Sequence, residues 1–461
     1  MRLFLILLAA PAMACAAAAP APAPTPAPAV DRPLAVQAKL EAAQAVFRSQ
    51  LLGDLDHRIG DSITIAGVTI PARVGDKGQL ELDLASDGKF KAFTKAATVP
   101  VTVTPAGAKR PLKLTLFLNR TADGWTYRNA SQLTVAIGPE VWCIVDVNGD
   151  GTFNQPGIDG MTLAGYEWLF PLPTTDERFC SPALDLTGLA FGALGEEVKL
   201  SGRPLTTTVA DALPVLKGVN SERLILGLTP RPEDAKLSAE LQSHCHYMSL
   251  NKTLAHPEDE GKPGFSAEGH QAGMRSILSM GTSSERVAWM MVQTYFHRQD
   301  VIRPETTAFG VGYEGSYGGI DGRSKMGKAP ATWWPVLCPV PDQRECGVSY
   351  QKEAPDATPG DDSAGLPITA YFGAGALLLK RWELKAIAGV KTPGLVECYP
   401  FDPKTGASAG MTGYQRCVAI IPKEPLQGAA TYEVTLDVDV AGKPWTRTWQ
   451  FSTVGAAKPK R

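Results

Sequence analysis

The chain has 461 residues, which is too long for a single hydrophobic core, so two or three domains are expected. Hydrophobic residues make up 44% and charged residues 20%, as in ordinary soluble globular proteins. The net charge is −2 and no long basic run occurs, which excludes an electrostatic attraction to nucleic acid. Glycine (45) and proline (37) are frequent, which predicts many turns and short strands.

The first 14 residues predict a secretory signal, because one arginine precedes the apolar run LFLILLAA, which is too short to span a bilayer. Two processing routes stay open. The small residues Ala12 and Ala14 fit ordinary cleavage, whereas Cys15 would be the lipidated residue of a bacterial lipoprotein. Residues 15–32 form an Ala/Pro tether. We therefore expect a secreted, periplasmic or cell-surface protein that contacts a membrane only through a lipid on Cys15.

Residues 33–215 are predicted to form a first domain with one helix and a β-rich part. Apolar residues at spacings of three and four predict an amphipathic helix over residues 33–53. Alternating apolar and polar residues then predict strands, separated by Gly, Asp and Pro, over residues 62–74, 80–84, 99–103 and 112–117.

A candidate calcium loop lies inside this β-rich part. Oxygen-bearing side chains occur at alternate positions before and after Gly149, as in the first half of a calcium loop, at Asp146, Asn148, Asp150 and Thr152. The twelfth position of such a loop should be acidic, but it is Gly157 here. The alternative is a hairpin turn rich in Asp, Asn and Gly, which needs no metal. The sequence therefore offers Ca²⁺ as one possible cofactor.

Residues 216–325 are predicted to form a middle domain of helices with a few strands. A linker with a short strand is expected over 218–227, and a helix from Pro232 onward. Further helices are expected over 275–280 and 285–295, with a strand over 308–313. Five of the six histidines fall in this domain, and imidazole is the side chain that ligates metals and moves protons near neutral pH: His244, His246, His256, His270 and His297.

Residues 326–461 are predicted to form a C-terminal β-sandwich. Short alternating runs separated by Gly and Pro predict its strands, over residues 367–372, 376–385, 418–421, 431–440 and 445–453. Export makes disulfides plausible. Two pairs are near in sequence, Cys338/Cys346 and Cys398/Cys417, and Cys143/Cys180 is a third candidate pair, but the sequence leaves the connectivity open. Cys245 would then remain as a small buried residue of a helix.

Two stretches resemble known families. The middle domain resembles the CAP superfamily (cysteine-rich secretory, antigen 5 and pathogenesis-related proteins), in particular its bacterial SCP-like extracellular branch. The residues that carry this resemblance are His246-Tyr247-Met248, His256, Gly264-Phe265-Ser266, Gly269, Val287-x-Trp289-Met290, Phe296-His297-Arg298, Val301-Ile302 and Phe309-Gly310-Val311-Gly312. The end of the chain is similar to bacterial immunoglobulin-like modules, through Tyr432-Glu433-Val434-Thr435-Leu436 and Trp449-Gln450-Phe451-Ser452-Thr453.

The CAP resemblance implies a multidomain α+β protein with a central α-β-α sandwich, whose cleft is lined by two histidines and two acidic residues. His256 and His297 match the two histidines. The family's Gly-Glu-Asn motif has no counterpart, since the chain continues from Gly269 as His-Gln-Ala-Gly. Glu285 and Glu258 are then the acidic residues expected nearest to the cleft.

Three functions are compatible with these features. The resemblance, the tether and the incomplete acidic set favour a binding protein over an enzyme, with a lipid or cell-wall component as ligand. The second is a metal-dependent hydrolase in which His256 and His297 hold Zn²⁺. The third is a structural or adhesion protein of the cell surface.

Overall fold

The computed structural model describes residues 32–43, 46–106, 110–192, 197–328, 335–358, 360, 363–373, 376–404 and 416–455. The predicted signal, Cys15 and residues 15–31 of the predicted tether lie outside this range. None of the described helices is long and apolar enough to cross a membrane.

The N-terminal region consists of strands. Their bounds are β1 (Arg32–Ala42), β2 (Arg48–Ser49), β3 (His57–Arg58), β4 (Ser62–Ile65), β5 (Val68–Val74), β6 (Leu80–Leu82), β7 (Lys91–Phe93), β8 (Ala97–Val103), β9 (Leu112–Thr121), β10 (Gly124–Asn129), β11 (Ser131–Ile137), β12 (Glu140–Val145), β13 (Gly160–Leu163), β14 (Trp168–Pro171), β15 (Phe179–Cys180), β16 (Leu184–Phe191) and β17 (Glu197–Pro204). They form a nine-stranded sheet in the order β15-β16-β17-β1-β11-β12-β13-β14-β2 and two four-stranded sheets, β3-β10-β9-β8 and β4-β5-β6-β7. Inward-facing residues of all three sheets share one hydrophobic core.

The middle region contains the helices. They are α1 (Leu213–Ile225), α2 (Ala235–Asn251), α3 (Ala267–Arg275), α4 (Val287–Val292) and α5 (Phe296–Ile302), with short 3-10 turns at Ala210–Ala212 and Ser284–Arg286. Three antiparallel strands accompany them, β18 (Ile277–Met280), β19 (Gly310–Glu314) and β20 (Tyr317–Asp321), in the order β18-β20-β19. Asp234 caps α2 by accepting from the backbone N–H groups of Lys236 and Leu237, and Ser266 caps α3 in the same way.

The C-terminal region returns to strands. They are β21 (Val336–Cys338), β22 (Gln343–Cys346), β23 (Ile368–Tyr371), β24 (Leu377–Ala388), β25 (Gly394–Leu395), β26 (Cys398–Phe401), β27 (Cys417–Pro422), β28 (Thr431–Val440) and β29 (Lys443–Thr453). Two sheets, β21-β23-β27-β26 and β22-β29-β28-β24-β25, enclose a core between them. The alternating segments of residues 431–440 and 445–453 pair as the antiparallel hairpin expected from their sequence.

The predicted fold class is wrong for the centre of the chain. Strands account for 42% and helices for 15%, and the described strands form six sheets of three to nine strands. The middle region is not a self-contained α-β-α sandwich, because α1, α4 and α5 share one core with Tyr371 and Ala419 of the C-terminal region. That same core continues to Leu51 and Trp168 of the N-terminal region. The helices therefore share their hydrophobic core with the β-rich regions on both sides and do not form a separate domain core.

Three local predictions are also wrong. The helix expected over 33–53 is strand β1, which is hydrogen-bonded to β17 on one side and β11 on the other. The linker expected over 218–227 is mostly helix α1, and the helix expected over 275–280 is strand β18. The apolar residues of β1 also alternate at every second position, and pairing with two neighbouring strands decides between the two patterns.

The predicted disulfides are absent, because the seven described cysteines are free thiols. Cys143 and Cys180 lie on β12 and β15, five strand positions apart in the nine-stranded sheet. Cys398 lies opposite Pro422, so Cys417 is five residues away, which is about 17 Å along a strand. Cys338 and Cys346 lie on strands of different sheets. Cys245 is completely buried in α2, as expected.

Arg298 joins the helical layer to the C-terminal sheet. Its side chain is fully buried in α5. The guanidinium donates to the carbonyl oxygens of Val292, Cys338 and Pro367, at 2.7, 3.1 and 2.6 Å, and to the hydroxyl of Thr369 at 3.1 Å. Val292 belongs to α4 and Cys338 to β21, while Pro367 directly precedes β23 and Thr369 lies within it. One guanidinium therefore hydrogen-bonds to buried polar groups of α4 and of two C-terminal strands.

Replacing Arg298 by Met keeps much of the side chain's length but removes its donors. Each abandoned buried acceptor costs about 1–3 kcal/mol, so R298M is expected to lower the free energy of unfolding by at least about 3 kcal/mol. Urea denaturation measures this change. The control is Arg344→Met on the exposed surface, and equal losses in the two variants would contradict the prediction.

Candidate functional site

An open cavity of about 370 Å³ lies between the middle region and the loop that follows β22. We call it the histidine cavity, because His256 and His297 both line it, together with Lys352 and Glu353. Most of the remaining wall is apolar and is formed by Leu254, Leu278, Met280, Met290 and Met291. The structure thus brings together the two histidines that the CAP resemblance singled out.

His256 lies on the loop between α2 and α3, and its ring is held by a backbone carbonyl. The Nδ1 atom is 2.7 Å from the carbonyl oxygen of Gly273. A carbonyl only accepts, so Nδ1 carries the proton and Nε2 of the neutral ring has a free lone pair. A side chain at Gly273 would collide with the His256 carbonyl and the His244 ring, so the close approach of α3 to this loop requires glycine.

His297 lies in the first turn of α5 with 12% of its side chain exposed. Burial, the nearby His256 and the charge of Arg323 lower its pKa to about 4, so the imidazole is neutral at pH 7. Its Nδ1 atom is 3.6 Å from Oε2 of Glu353. Within the described residues, Nε2 of His297 makes no hydrogen bond, and neither does Nε2 of His256.

Glu353 holds the start of α5 in place. Its Oε1 accepts from the backbone N–H groups of Tyr295 and Phe296, at 2.6 and 2.9 Å, and its Oε2 accepts from that of His297 at 2.8 Å. The helix lacks a side-chain cap of its own at Tyr295, so a carboxylate from the C-terminal region replaces it. Burial of this fully enclosed carboxyl raises its pKa to about 7.

Sequence reasoning missed Glu353 completely. It is 56 residues from His297 along the chain and lies in the region assigned to the C-terminal domain. The one sequence feature that indicates a remote partner is a missing residue type. Position 295, which precedes α5, is Tyr and not Ser, Thr, Asp or Asn, so the helix has no N-cap side chain of its own.

The two predicted acidic residues lie outside the histidine cavity. Glu258 is fully buried, and its carboxylate accepts from Nδ1 of His244 at 2.8 Å and from the backbone N–H of Ser266 at 2.9 Å. It therefore fixes the loop between α2 and α3. Glu285 is exposed in the 3-10 turn before α4, where its own backbone N–H and the Ser283 hydroxyl lower its pKa.

The predicted calcium loop folds around hydrogen bonds of its own. Both carboxylate oxygens of Asp146 accept, from the backbone N–H groups of Gly149, Asp150 and Gly151 and from the amide of Asn129. The Asp150 carboxylate accepts from Asn148, Thr152 and Gln155. Burial raises the pKa of Asp146 to about 6. Among the described residues, no group of three His, Cys, Asp or Glu is arranged to hold a metal ion.

The geometry of the histidine cavity favours recognition of a particular kind of group. The imidazoles of His256 and His297 each present an Nε2 atom that makes no hydrogen bond within the described residues, and the surrounding methionine and leucine side chains offer apolar surface. Such a cavity suits a molecule with an apolar body and a hydroxyl or amine N–H that donates to nitrogen.

Comparisons with known proteins add little to this picture. No protein-family model matches the chain, and no curated protein matches it. A crystal structure of an extracellular protein containing a SCP domain, from Bacillus anthracis str. Ames, is similar to part of it. The identity is 11% and the TM-score 0.21, over 56% of this chain and 86% of that chain. A TM-score this low does not establish a shared fold, and nothing here supports the immunoglobulin-like module.

Imidazole NMR tests the electrostatics of the cavity. His297 is expected to stay neutral down to about pH 4, because protonation would place a cation in a buried site beside His256 and Arg323. Neutral His256 is expected to show the Nδ1–H tautomer. Long-range ¹H–¹⁵N spectra recorded between pH 3 and 8 measure both properties, and the variants His297→Ala and His256→Ala assign the signals. A His297 midpoint in the ordinary histidine range, near 6.5, would contradict the predicted burial.

The pH dependence of stability tests Glu353. Its folded pKa of about 7 lies above the ordinary value, so the folded state binds more protons and the contribution of Glu353 to stability falls as pH rises from about 4 to 7. His297 acts oppositely, since its lowered pKa makes stability rise with pH between about 4 and 6.5. The free energy of unfolding of Glu353→Gln relative to wild type is therefore expected to increase with pH over the Glu353 window. Chemical denaturation at several pH values measures it, and a constant difference would show that the carboxyl ionises normally.

Proposed function

We propose that the chain is an exported binding protein whose histidine cavity takes a lipid or cell-envelope molecule with an apolar body and a hydroxyl group. The observation that carries this proposal is the pair of imidazoles with free Nε2 atoms in a mainly apolar cavity, where His297 is neutral at pH 7. The apparent secretory signal and the resemblance of residues 241–312 to the CAP superfamily point to the same role.

The apolar surface extends beyond the cavity wall. The side chains of Leu254 and Met280 line the cavity and are also about half exposed, at 45% and 48%. Apolar groups at the mouth would contact the part of a ligand that does not fit inside. Burying them contributes roughly 25 cal/mol per Å² of apolar surface removed from water.

A binding experiment with two probes of equal chain length tests the proposal. 1-Decanoylglycerol carries hydroxyl donors, whereas decanoate carries only acceptors at neutral pH. Titration calorimetry is expected to show tighter binding of the glyceride. Its hydroxyl groups can donate hydrogen bonds to the Nε2 atoms, whereas the carboxylate of decanoate has no hydrogen to donate. His256→Ala and His297→Ala are each expected to weaken binding about tenfold, which corresponds to about 1.4 kcal/mol.

His246→Ala is the matched control. This histidine is in the same region, but its ring is exposed and contacts Glu314, away from the cavity. Unchanged affinity in this variant is expected. The proposal fails if neither probe binds, or if all three histidine variants bind as the wild type does.

A metal-dependent hydrolase is the less well supported alternative. In its favour, each Nδ1 atom faces an oxygen acceptor, as is usual for histidines that ligate a metal through Nε2. Against it, the Glu353 oxygens already accept three backbone N–H groups, and no group of three ligands occurs in the described part of the chain. The donor set therefore does not fit a zinc site with three protein ligands.

Calcium binding at the Asp146–Thr152 loop remains a proposal. A cation there would reverse the effect of burial, which raises the pKa of Asp146 to about 6 and that of Asp159 to about 7. Calcium chloride is then expected to raise Tm relative to EDTA, and Asp150→Asn to abolish the increase. Identical melting curves of the wild type in calcium and in EDTA would exclude the site.

A further inference from the structure

A second recess lies between the N-terminal sheets and the C-terminal region. It is a groove of about 680 Å³, and none of its lining residues lines the histidine cavity. Arg48 connects its two sides through an ion pair with Asp342 at 2.7 Å and a hydrogen bond to the Pro341 carbonyl at 3.2 Å. Ligand sites commonly form at such boundaries between regions.

The charges along this groove are balanced. Four arginines and four aspartates line it, namely Arg48, Arg58, Arg128, Arg447, Asp54, Asp56, Asp123 and Asp342. A polyanion such as nucleic acid would be repelled by as many carboxylates as there are guanidinium groups to attract it. A polycation would likewise meet equal numbers of attracting and repelling groups. The groove therefore favours a ligand without net charge that forms many hydrogen bonds.

Some polar groups of the wall are not satisfied by the protein. Trp168 is only 9% exposed, yet its indole N–H makes no hydrogen bond within the described residues. Among the residues that the structure describes, neither the Arg447 guanidinium nor the Asp54 carboxylate has an ion-pair partner. The Trp168 N–H is accessible to solvent, so an acceptor on a bound molecule can reach it.

Strand β29 adds an aromatic surface beside these groups. Trp445 and Arg447 are two residues apart, so their side chains lie on the same face of the strand. Trp445 is half-buried and packs edge-on against Phe372, with ring centroids 5.1 Å apart. It lines a smaller adjoining cavity of about 170 Å³ whose wall also includes Asp54, Trp168 and Arg447. One continuous surface thus combines an indole, a carboxylate and a guanidinium.

We propose that this groove binds a neutral oligosaccharide. Each sugar hydroxyl both donates and accepts, so neighbouring hydroxyls can donate to Asp54 and accept from Arg447 and the Trp168 N–H. The less polar face of the sugar ring packs on Trp445. The ligand spans both β-rich regions, and the site is independent of the histidine cavity.

An array of neutral and anionic oligosaccharides, probed with the full exported chain, tests this proposal. Binding to neutral glycans that titration calorimetry confirms at a Kd below about 1 mM is the expected result. Arg447→Ala and Trp445→Ala are each expected to weaken that binding at least tenfold. Arg447 is exposed, so its variant reports on the site even if loss of Trp445 disturbs the strand.

Thr446→Ala is the control, because Thr446 is exposed and points to the opposite face of β29. It is expected to bind as the wild type does, and so is His256→Ala, which separates this groove from the histidine cavity. Binding of anionic glycans alone, the absence of any binding, or equal affinity in wild type and Arg447→Ala would each overturn the proposal.

Discussion

The short helix α5 is buried, and its first backbone N–H groups and its Arg298 side chain have hydrogen-bond partners in the C-terminal region. Glu353 accepts the first backbone N–H groups of the helix, and Arg298 from within the helix donates to carbonyl groups around it. A helix of seven residues has too few internal hydrogen bonds to be stable alone. The middle region therefore cannot be separated from the strands that follow it without exposing unsatisfied groups on both sides.

The same carboxylate has a second consequence at the histidine cavity. Because Glu353 fixes the first turn of α5, it also fixes the place of His297 in the cavity wall. His256 is fixed independently, by the Gly273 carbonyl of α3. The two rings are thus held by different segments, and neither support uses an Nε2 atom. The neutral state of His297 follows from the enclosure that this arrangement creates.

The two recesses differ in chemistry in a way that follows from their surroundings. Methionines and leucines from short helices and β18 line the histidine cavity, so its few polar atoms determine what binds. The groove lies where the edges of β-rich regions meet, and charged side chains that avoid the cores collect there. The two recesses therefore offer a mainly apolar surface and a charge-balanced polar surface at separate places on the same chain.

Local patterns in the sequence were sufficient where local chemistry decides the structure. Strict alternation predicted the hairpin of β28 and β29, and apolar periodicity predicted the helix after Pro232 that is α2. The order of motifs also pointed to His256 and His297. Contacts between distant segments decided the rest. β1 is a strand because two other strands flank it, and Glu353 reaches His297 only through the fold. Periodicity describes which face of a segment is apolar, but it carries no information on which remote group will satisfy that segment's polar atoms.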